Sequence, residues 1–294
     1  MVTFRPAQED DLLHASEMVY ENEIRGEPVP PPFPGRSATL LHIFQTGTVY
    51  VAEEDGHILA FAGAITRGRV TYLTDLFVHP NLQSSHLGQT LLRSVLPVGS
   101  DGIRCTMSST DPRAIALYTR AGMRPQWPNF CLRREGPAPG NALSNDLEIV
   151  EAQVADPALV EWDASVSGRH RPQDHAFWVR EGRGMPLWFQ RNGEIVGYGY
   201  IRPEAGTLWY PDACLIGPIG ARTPEEATAC VLAAVEMAQQ HARVLRIDVA
   251  APHPCLVPLL EARFQITYVE THHSSAETPF FDPRRYIASG SDLF

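Results

Sequence analysis

The sequence predicts an α/β protein of two tandem domains built on one plan, each a central mixed β-sheet flanked by helices. Three observations predict it. Strand-like and helix-like patterns alternate along both halves, a stretch rich in Gly, Pro, Asn and Ser interrupts the chain near its middle, and landmarks of the first half recur in order in the second. A chain of 294 residues has room for two domains of roughly 140 residues, each able to bury its own core. The expected division is a first domain over 1–135, a linker over 136–146 and a second domain over 147–294.

Val2 to Arg5 reads as a short strand, and Asp10 to Asn22 as an amphipathic helix with Leu12, Leu13, Met18 and Val19 on its apolar side. The proline-rich run from Glu27 to Gly35 cannot continue a helix and is expected as an extended surface loop. Ser37 to Gln45 reads as a further helix. Val49 to Ala52 and Ile58 to Thr66 read as strands joined by the acidic-glycine turn Glu54-Asp55-Gly56. Val70 to Val78 is a strand that ends at His79-Pro80, and Leu87 to Leu96 a helix. Ile103 to Met107 is a strand, Pro112 to Ala121 a helix closed by Gly122, and Phe130 to Arg133 a last strand.

The second half repeats this order. Asp55-Gly56-His57-Ile58 aligns with Asn192-Gly193-Glu194-Ile195, and the same offset carries Asp75 onto Asp212, expected late in a strand. A slightly longer offset brings Ile103 to Met107 onto Leu245 to Val249, each followed by a proline-led helix. An ordered series of matches points to an internal duplication.

Composition narrows the function. The net charge of −10 and the pI near 5.5 disfavour binding to nucleic-acid phosphates and suit a cationic acceptor such as an amine. No apolar run approaches the roughly 18 residues that would span a bilayer. The N-terminal residues lack a basic stretch followed by an apolar one, so a cytoplasmic protein with no membrane partner is expected. Cys105, Cys131, Cys214, Cys230 and Cys255 are scattered without a C-x-x-C pair, which argues for reduced thiols and against a zinc or other metal site.

Chemistry concentrates between Tyr72 and Leu92. A buried strand ends, small residues follow, and a helix begins near Leu87. The first turn of a helix has main-chain N–H groups without intrahelical partners and a partial positive charge, which suits phosphate oxygens. Val78 to Gly88, followed by Leu91-Leu92, resembles the acyl-CoA signature of the GNAT N-acetyltransferases, Q/R-x-x-G-x-G/A after a strand. Gln83 and Gly88 hold its first and last positions, while His86 replaces the middle glycine. That departure is mild if the loop acts through main-chain N–H groups, and matters more if the position needs a positive φ. Asp111 to Met123 is similar to the family's N-x-x-A-x-x-L-Y-x-x-x-G-F element, with Asp for Asn and Met for Phe.

The resemblance covers most of residues 1–135 and implies a tandem pair of acyl-CoA N-acyltransferase domains with acetyl-CoA as cosubstrate of the first. It implies that the main chain of Leu76, Phe77 and Val78 pairs with the amides of the pantetheine arm. The diphosphate would rest on Gln83, Ser84, Ser85, His86, Leu87, Gly88 and Gln89. Asp111, Ala114 and Tyr118 complete the cofactor side. Tyr118 stands where the family places its general acid, and a phenol with an ordinary pKa of about 10 keeps a proton to donate. Asp75 is a candidate base, with a strand-end role as the alternative. The implied activity is acetyl transfer to a primary amine of a small molecule or peptide by direct attack; the alternative is a non-catalytic acyl-CoA sensor or scaffold.

In the second half the signature is absent. Glu225 and Glu226 open the helix that would receive the diphosphate, and Leu259-Leu260 replace Leu117-Tyr118, so this copy is expected to be degenerate. The segment from Trp162 to Arg171, with its cluster of positive charge, is expected as a solvated turn linking helices, or as a site for an acidic acceptor, a CoA phosphate or another domain. His272 and His273 show no metal spacing and receive no role. A duplicated chain can serve as its own pseudo-dimer, so a monomer and a homodimer both stand open.

Overall fold

A computed structural model describes residues 1–82, 86–96, 102–140 and 142–294. By packing, the chain forms two compact units, Met1–Thr106 and Met107–Phe294.

In the first unit the elements run β1 (Thr3–Pro6), α1 (Asp11–Glu23), α2 (Ala38–Thr46), β2 (Thr48–Glu54), β3 (His57–Arg67), β4 (Val70–Val78), α3 (Leu87–Val95) and β5 (Ile103–Ser108), whose last two residues pass the boundary. The sheet order is β1-β2-β3-β4-β5, antiparallel up to β4, with β5 parallel to β4. The β2–β3 hairpin turns on Asp55 and Gly56, both at positive φ (51° and 81°), the geometry that acidic-glycine turns favour. Ser37 caps α2 by accepting a hydrogen bond from the N–H of Leu40 at 3.2 Å. Leu12, Ile43, Phe61, Ile65, Tyr72 and Leu91 are among the buried side chains that join these helices to the sheet.

The second unit holds α4 (Pro112–Arg120), β6 (Arg124–Glu135), β7 (Glu148–Glu151), α5 (Pro157–Ser167), α6 (Pro172–Glu181), β8 (Met185–Arg191), β9 (Glu194–Arg202), β10 (Ala213–Ala221), α7 (Pro224–Ala238), β11 (Val244–Ala250), α8 (Leu256–Glu261), β12 (Gln265–Ser274) and β13 (Tyr286–Ile287). From β7 to β12 the element order repeats that from β1 to β6 one for one. Helices α4, α5 and α7 each begin with Asp or Thr as the capping residue followed by proline, which has no N–H to leave unsatisfied. The sheet order is β7-β8-β9-β10-β11-β6-β12, with β13 added to β10. Thus β6, the last strand of the first repeat, lies between β11 and β12, the last strands of the second. That placement is why α4 and β6 pack with residues far along the chain.

The structure differs from the sequence reading in three places. The last strand of the first repeat is three times longer than Phe130 to Arg133, because Pro125 and Pro128 lie beyond the part of β6 that pairs with β11, where one edge needs no N–H donor. Asp212 sits exposed in the turn before β10, so it is not the counterpart of Asp75, which lies inside β4. Arg169 and Arg171 are not solvated. Arg171 is wholly buried, forms a two-pronged ion pair with Asp163 (2.7 and 2.9 Å) and donates to the main-chain oxygen of Phe294 at 2.6 Å. In the middle stretch, Leu143 is buried in the core of the second unit, and Asp146 pairs with Arg191. All five cysteines are free and buried. Among the described residues, no helix is long and apolar enough to cross a membrane.

Candidate functional site

The first unit contains a strand fork. β4 pairs with β5 from Val70↔Ile103 to Leu73↔Thr106 and then leaves it. Along its other edge β4 stays paired with β3 through Asp75↔Gly63, Leu76↔Ala62, Phe77↔Phe61 and Val78↔Ala60. The register slips between Leu73 and Asp75, so Thr74 is the extra residue of a β-bulge. A bulge bends its strand and sharpens its twist, which turns β4 away from β5 at the point where pairing stops. The Thr106 hydroxyl donates to the Leu73 carbonyl at 3.0 Å and closes the crotch of the fork. Gly63 makes room for the bulge: a methyl group there would lie 2.8 Å from Thr74 Oγ1 and 3.2 Å from Asp75 Oδ2. Beyond the fork β4 is half-buried at every position, and among the described residues no strand pairs with that edge of Leu76, Phe77 and Val78. A strand edge of this kind presents main-chain donors and acceptors to an extended partner.

The helix after the fork starts on a left-handed residue. α3 begins at Leu87 with His86 as the capping residue, and His86 adopts φ 65°, ψ −3°. The motif position that the sequence left conditional therefore does require left-handed backbone, and histidine holds it in place of glycine. The exposed His86 side chain caps nothing, while its carbonyl accepts the first helical bond from Thr90 N–H at 3.3 Å. No acidic residue lies in the first turn, and the first N–H groups of a helix lack intrahelical partners and carry the positive end of its dipole. Gln83, Ser84 and Ser85 lie outside the described residues. His79, at the end of β4, continues the β3 ladder by donating its N–H to Leu59 at 2.9 Å.

The other expected site residues belong to α4 in the second unit. Asp111 caps that helix by accepting the Arg113 N–H at 2.8 Å and pairs with its guanidinium at 2.6 Å; that hydrogen bond holds its carboxyl below the usual range. Ala114 is half-buried, and Tyr118 is the buried residue of the helix. The Tyr118 ring stands edge-on to His273, with centroids 5.8 Å apart, and His273 Nε2 lies 3.0 Å from Ser108 Oγ. Burial lowers the His273 pKa, so its ring is a neutral support for the phenol. Sequence reasoning missed Ser108 and His273, because their meeting depends on where β12 pairs, which no local pattern records. It also missed Glu270, whose carboxyl accepts from Ser291 Oγ at 2.5 Å and is pushed up to about 7 by burial and by Asp248. A carboxyl titrating there has the basicity of a proton acceptor at neutral pH.

The second repeat offers a matched control. In each repeat the third residue past the helix returns its N–H to a helix carbonyl: Met123 to Tyr118 and Phe264 to Leu259, both at 3.0 Å. This register puts Leu259, rather than Leu260, in the place of Tyr118, and Arg263 in the place of Gly122. At the start of α7, Thr223 accepts the Glu226 N–H at 3.3 Å while the Glu226 carboxylate accepts the Thr223 N–H at 3.1 Å, a closed capping box. With Glu225 beside it, this helix start is both satisfied and acidic. Among the described residues no group of three or more His, Cys, Asp or Glu is placed to hold a metal ion.

Comparisons with known proteins agree with the fold and with its duplication. The model of the acetyltransferase (GNAT) family matches residues 17–123, and that of an acetyltransferase (GNAT) domain matches residues 159–272. No curated protein matches the chain in sequence. Among solved structures, a candidate acetyltransferase from Pyrococcus horikoshii superposes with a TM-score of 0.71 at 15% identity, over 97% of this chain and 92% of that one. The tandem GNAT protein of the clavulanic acid biosynthesis pathway superposes with a TM-score of 0.66 at 15% identity, over 95% of this chain and 100% of that one. A GCN5-related N-acetyltransferase from Sphaerobacter thermophilus gives 0.61 at 16% identity, over 93% and 95%. At these identities the likeness concerns the fold.

Proposed function

We propose, from the premise that this chain belongs to the GNAT acetyltransferase family with two of its domains in tandem, that it transfers an acetyl group from acetyl-CoA to a primary amine, with the working site in the first domain. Acyl transfer from an acyl-CoA is what the family and fold suggest. The finer reading rests on one observation: the bulged, half-exposed edge of β4 leads into a helix start that carries no acid and whose capping residue is left-handed.

In this reading Leu76, Phe77 and Val78 add the pantetheine arm as a strand, and the N–H groups around His86, Leu87, Gly88 and Gln89 hold the diphosphate. Gln83, Ser84 and Ser85 are proposed to extend that cradle, and Asp111 and Ala114 are proposed as further cofactor-binding residues. The amine nitrogen attacks the thioester carbonyl, the C–S bond breaks, and the thiolate takes a proton from Tyr118. The attacking nitrogen gives up a proton, for which Asp75 is the proposed acceptor. The acceptor substrate is a small-molecule or peptide amine, favoured by the acidic chain.

Calorimetry with acetyl-CoA, followed by thiol release against a panel of amines, tests the proposal. One equivalent bound per chain, and release that depends on the amine, are expected. Absence of binding by the parent chain would sink it.

A further inference from the structure

We propose that residues 285–289 are a built-in occupant of the strand fork of the second domain, so that each chain takes a single acyl-CoA and takes it in the first domain. The second half of that statement rests on the function proposed above; the first half stands on geometry alone.

The second unit repeats the fork. β10 pairs with β11 from Ala213↔Val244 to Ile216↔Ile247 and then leaves it, and its register with β9 slips between Ile216 and Ile219. Past the slip, Ile219 and Gly220 pair with Gly199 and Tyr198 of β9 along one edge. The same two residues pair with Ile287 and Tyr286 of β13 along the other, which is the edge that β11 gave up. The insertion continues on both sides of β13. Ala221 donates its N–H to the Arg285 carbonyl at 3.0 Å, the Arg202 guanidinium donates to the Ser289 carbonyl, and Gly217 lies so close to Ala288 that an added methyl would stand 2.4 Å from its oxygen. The consequence is visible in burial: all nine residues of β10 are buried, whereas β4 is half-buried from Thr74 onward.

Buried polar anchors hold the segment in place. The Tyr286 hydroxyl accepts from Arg169 at 3.1 Å and donates to the Phe294 main-chain oxygen at 3.1 Å, and that oxygen also accepts from Arg171. Burial by itself would raise the Asp163 carboxyl, but the charge of Arg171 holds it far below its ordinary range, so the pair stays ionised. Breaking one partner of a buried, hydrogen-bonded ion pair is strongly unfavourable, which makes the seat specific. An extended segment that pairs along a fork edge uses the same main-chain groups that an acyl-CoA arm would use. The occupied fork and the capped, acidic start of α7 therefore exclude a second cosubstrate by two independent means.

Hydrogen exchange on the full chain, with and without saturating acetyl-CoA, combined with native mass spectrometry, tests the inference. One equivalent of acetyl-CoA is expected, with unchanged protection at Ala221 and Ile287 and new protection over residues 76–78. A second equivalent bound with loss of protection over 285–289 would overturn it. Gly217→Ala, which forces a methyl against Ala288, is expected to speed exchange over 285–289 at least tenfold while the chain still takes one equivalent. Protection equal to the parent in that variant would show that the segment is not seated against β10, and would also overturn the inference. If the parent takes up no acetyl-CoA while Gly217→Ala still loosens 285–289, the occupied fork stands and the proposed activity falls.

Discussion

In the first domain β4 leaves β5 after Leu73 and its remaining residues stay half-buried; in the second, β10 leaves β11 after Ile216, its remaining residues are buried, and Ile219 and Gly220 pair with β13. Both strands carry a register slip at the fork, and both are followed by a helix. The contrast lies in what satisfies the vacated edge. Main-chain groups withdrawn from water need partners, and the second domain supplies them from its own chain. The helix starts diverge in the same sense. That of α3 has no acid in its first turn, whereas α7 has Glu225, Glu226 and a closed capping box. On the reading proposed above, a duplicated fold loses a ligand site by filling the vacated edge from its own chain, without losing the fork itself.

The sharpest way to break this comparison is at Tyr118 and Leu259, which share a register. Tyr118→Phe is expected to lower kcat by about a hundredfold, the scale of a lost general acid. Acetyl-CoA affinity should stay within about twofold, since no charge or main-chain contact changes. Leu259→Tyr should restore nothing to that variant, because the second fork is filled. Steady-state kinetics and calorimetry on the three proteins decide the matter. Unchanged turnover in Tyr118→Phe would remove the phenol from the mechanism.

Acid should distinguish the two copies next. His272 is buried between Trp127 (4.7 Å between centroids) and Phe294 (5.2 Å), and burial together with nearby Arg169 pushes its pKa down to about 3. Burial does the same to His253. A histidine whose folded pKa lies below its unfolded value contributes stability that is complete above about pH 6.5 and is lost as pH falls toward 3. The loss from His272 is expected to be roughly 2 kcal/mol by pH 5, and it falls on the region that seats Phe294. His272→Phe should flatten the dependence of Tm on pH between 6.5 and 4.5. An equally steep dependence in that variant would locate the acid sensitivity elsewhere.

Reversing the electrostatics of α3 comes third. Gly88→Glu gives its first turn an acid, as α7 has, and should weaken acetyl-CoA binding about tenfold, or 1.4 kcal/mol. The reciprocal change, Glu225→Gln with Glu226→Gln, should add no second binding event in calorimetry, because removing the charge leaves β13 in place. A second event would mean that charge alone silenced the copy.

Much of this comparison could be read before the fold was known, and the failures share a cause. The strand Val70–Val78, the helix starting at Leu87 and the acids of α7 follow from periodicity, capping residues and charge, all local signals. The fork itself does not. Its bulge is one residue, Thr74, and the longer connection between β9 and β10, residues 203–212 against 68–69 between β3 and β4, is what threw the alignment of Asp75 onto Asp212. β13 spans two residues, too short for any alternation to announce it. Arg169 and Arg171 looked solvated because charged side chains usually are; only Asp163, Tyr286 and the Phe294 carbonyl, brought together by packing, make their burial tolerable. Ser108 and His273 are 165 residues apart, beyond the reach of any pattern in a single sequence.

The smallest expected effects come from a pair of left-handed residues, one per copy. His86 holds φ 65° where the signature has its middle glycine, and Arg263 holds φ 67° where the first copy has Gly122 at 83°. Side chains in this region of backbone space crowd their own carbonyl, at a cost of roughly 1–2 kcal/mol, and glycine avoids that cost while losing more freedom on folding. The balance should leave His86→Gly and Arg263→Gly each more stable by roughly 0.5 kcal/mol in chemical denaturation. They part company in binding. His86 caps the start of α3 and is proposed to act through its N–H, so His86→Gly should keep acetyl-CoA affinity within about twofold of the parent or tighten it slightly. Arg263→Gly should leave it untouched. A tenfold loss in His86→Gly would mean that the imidazole itself grips the cosubstrate, and that the histidine was selected for its ring rather than merely tolerated for its backbone.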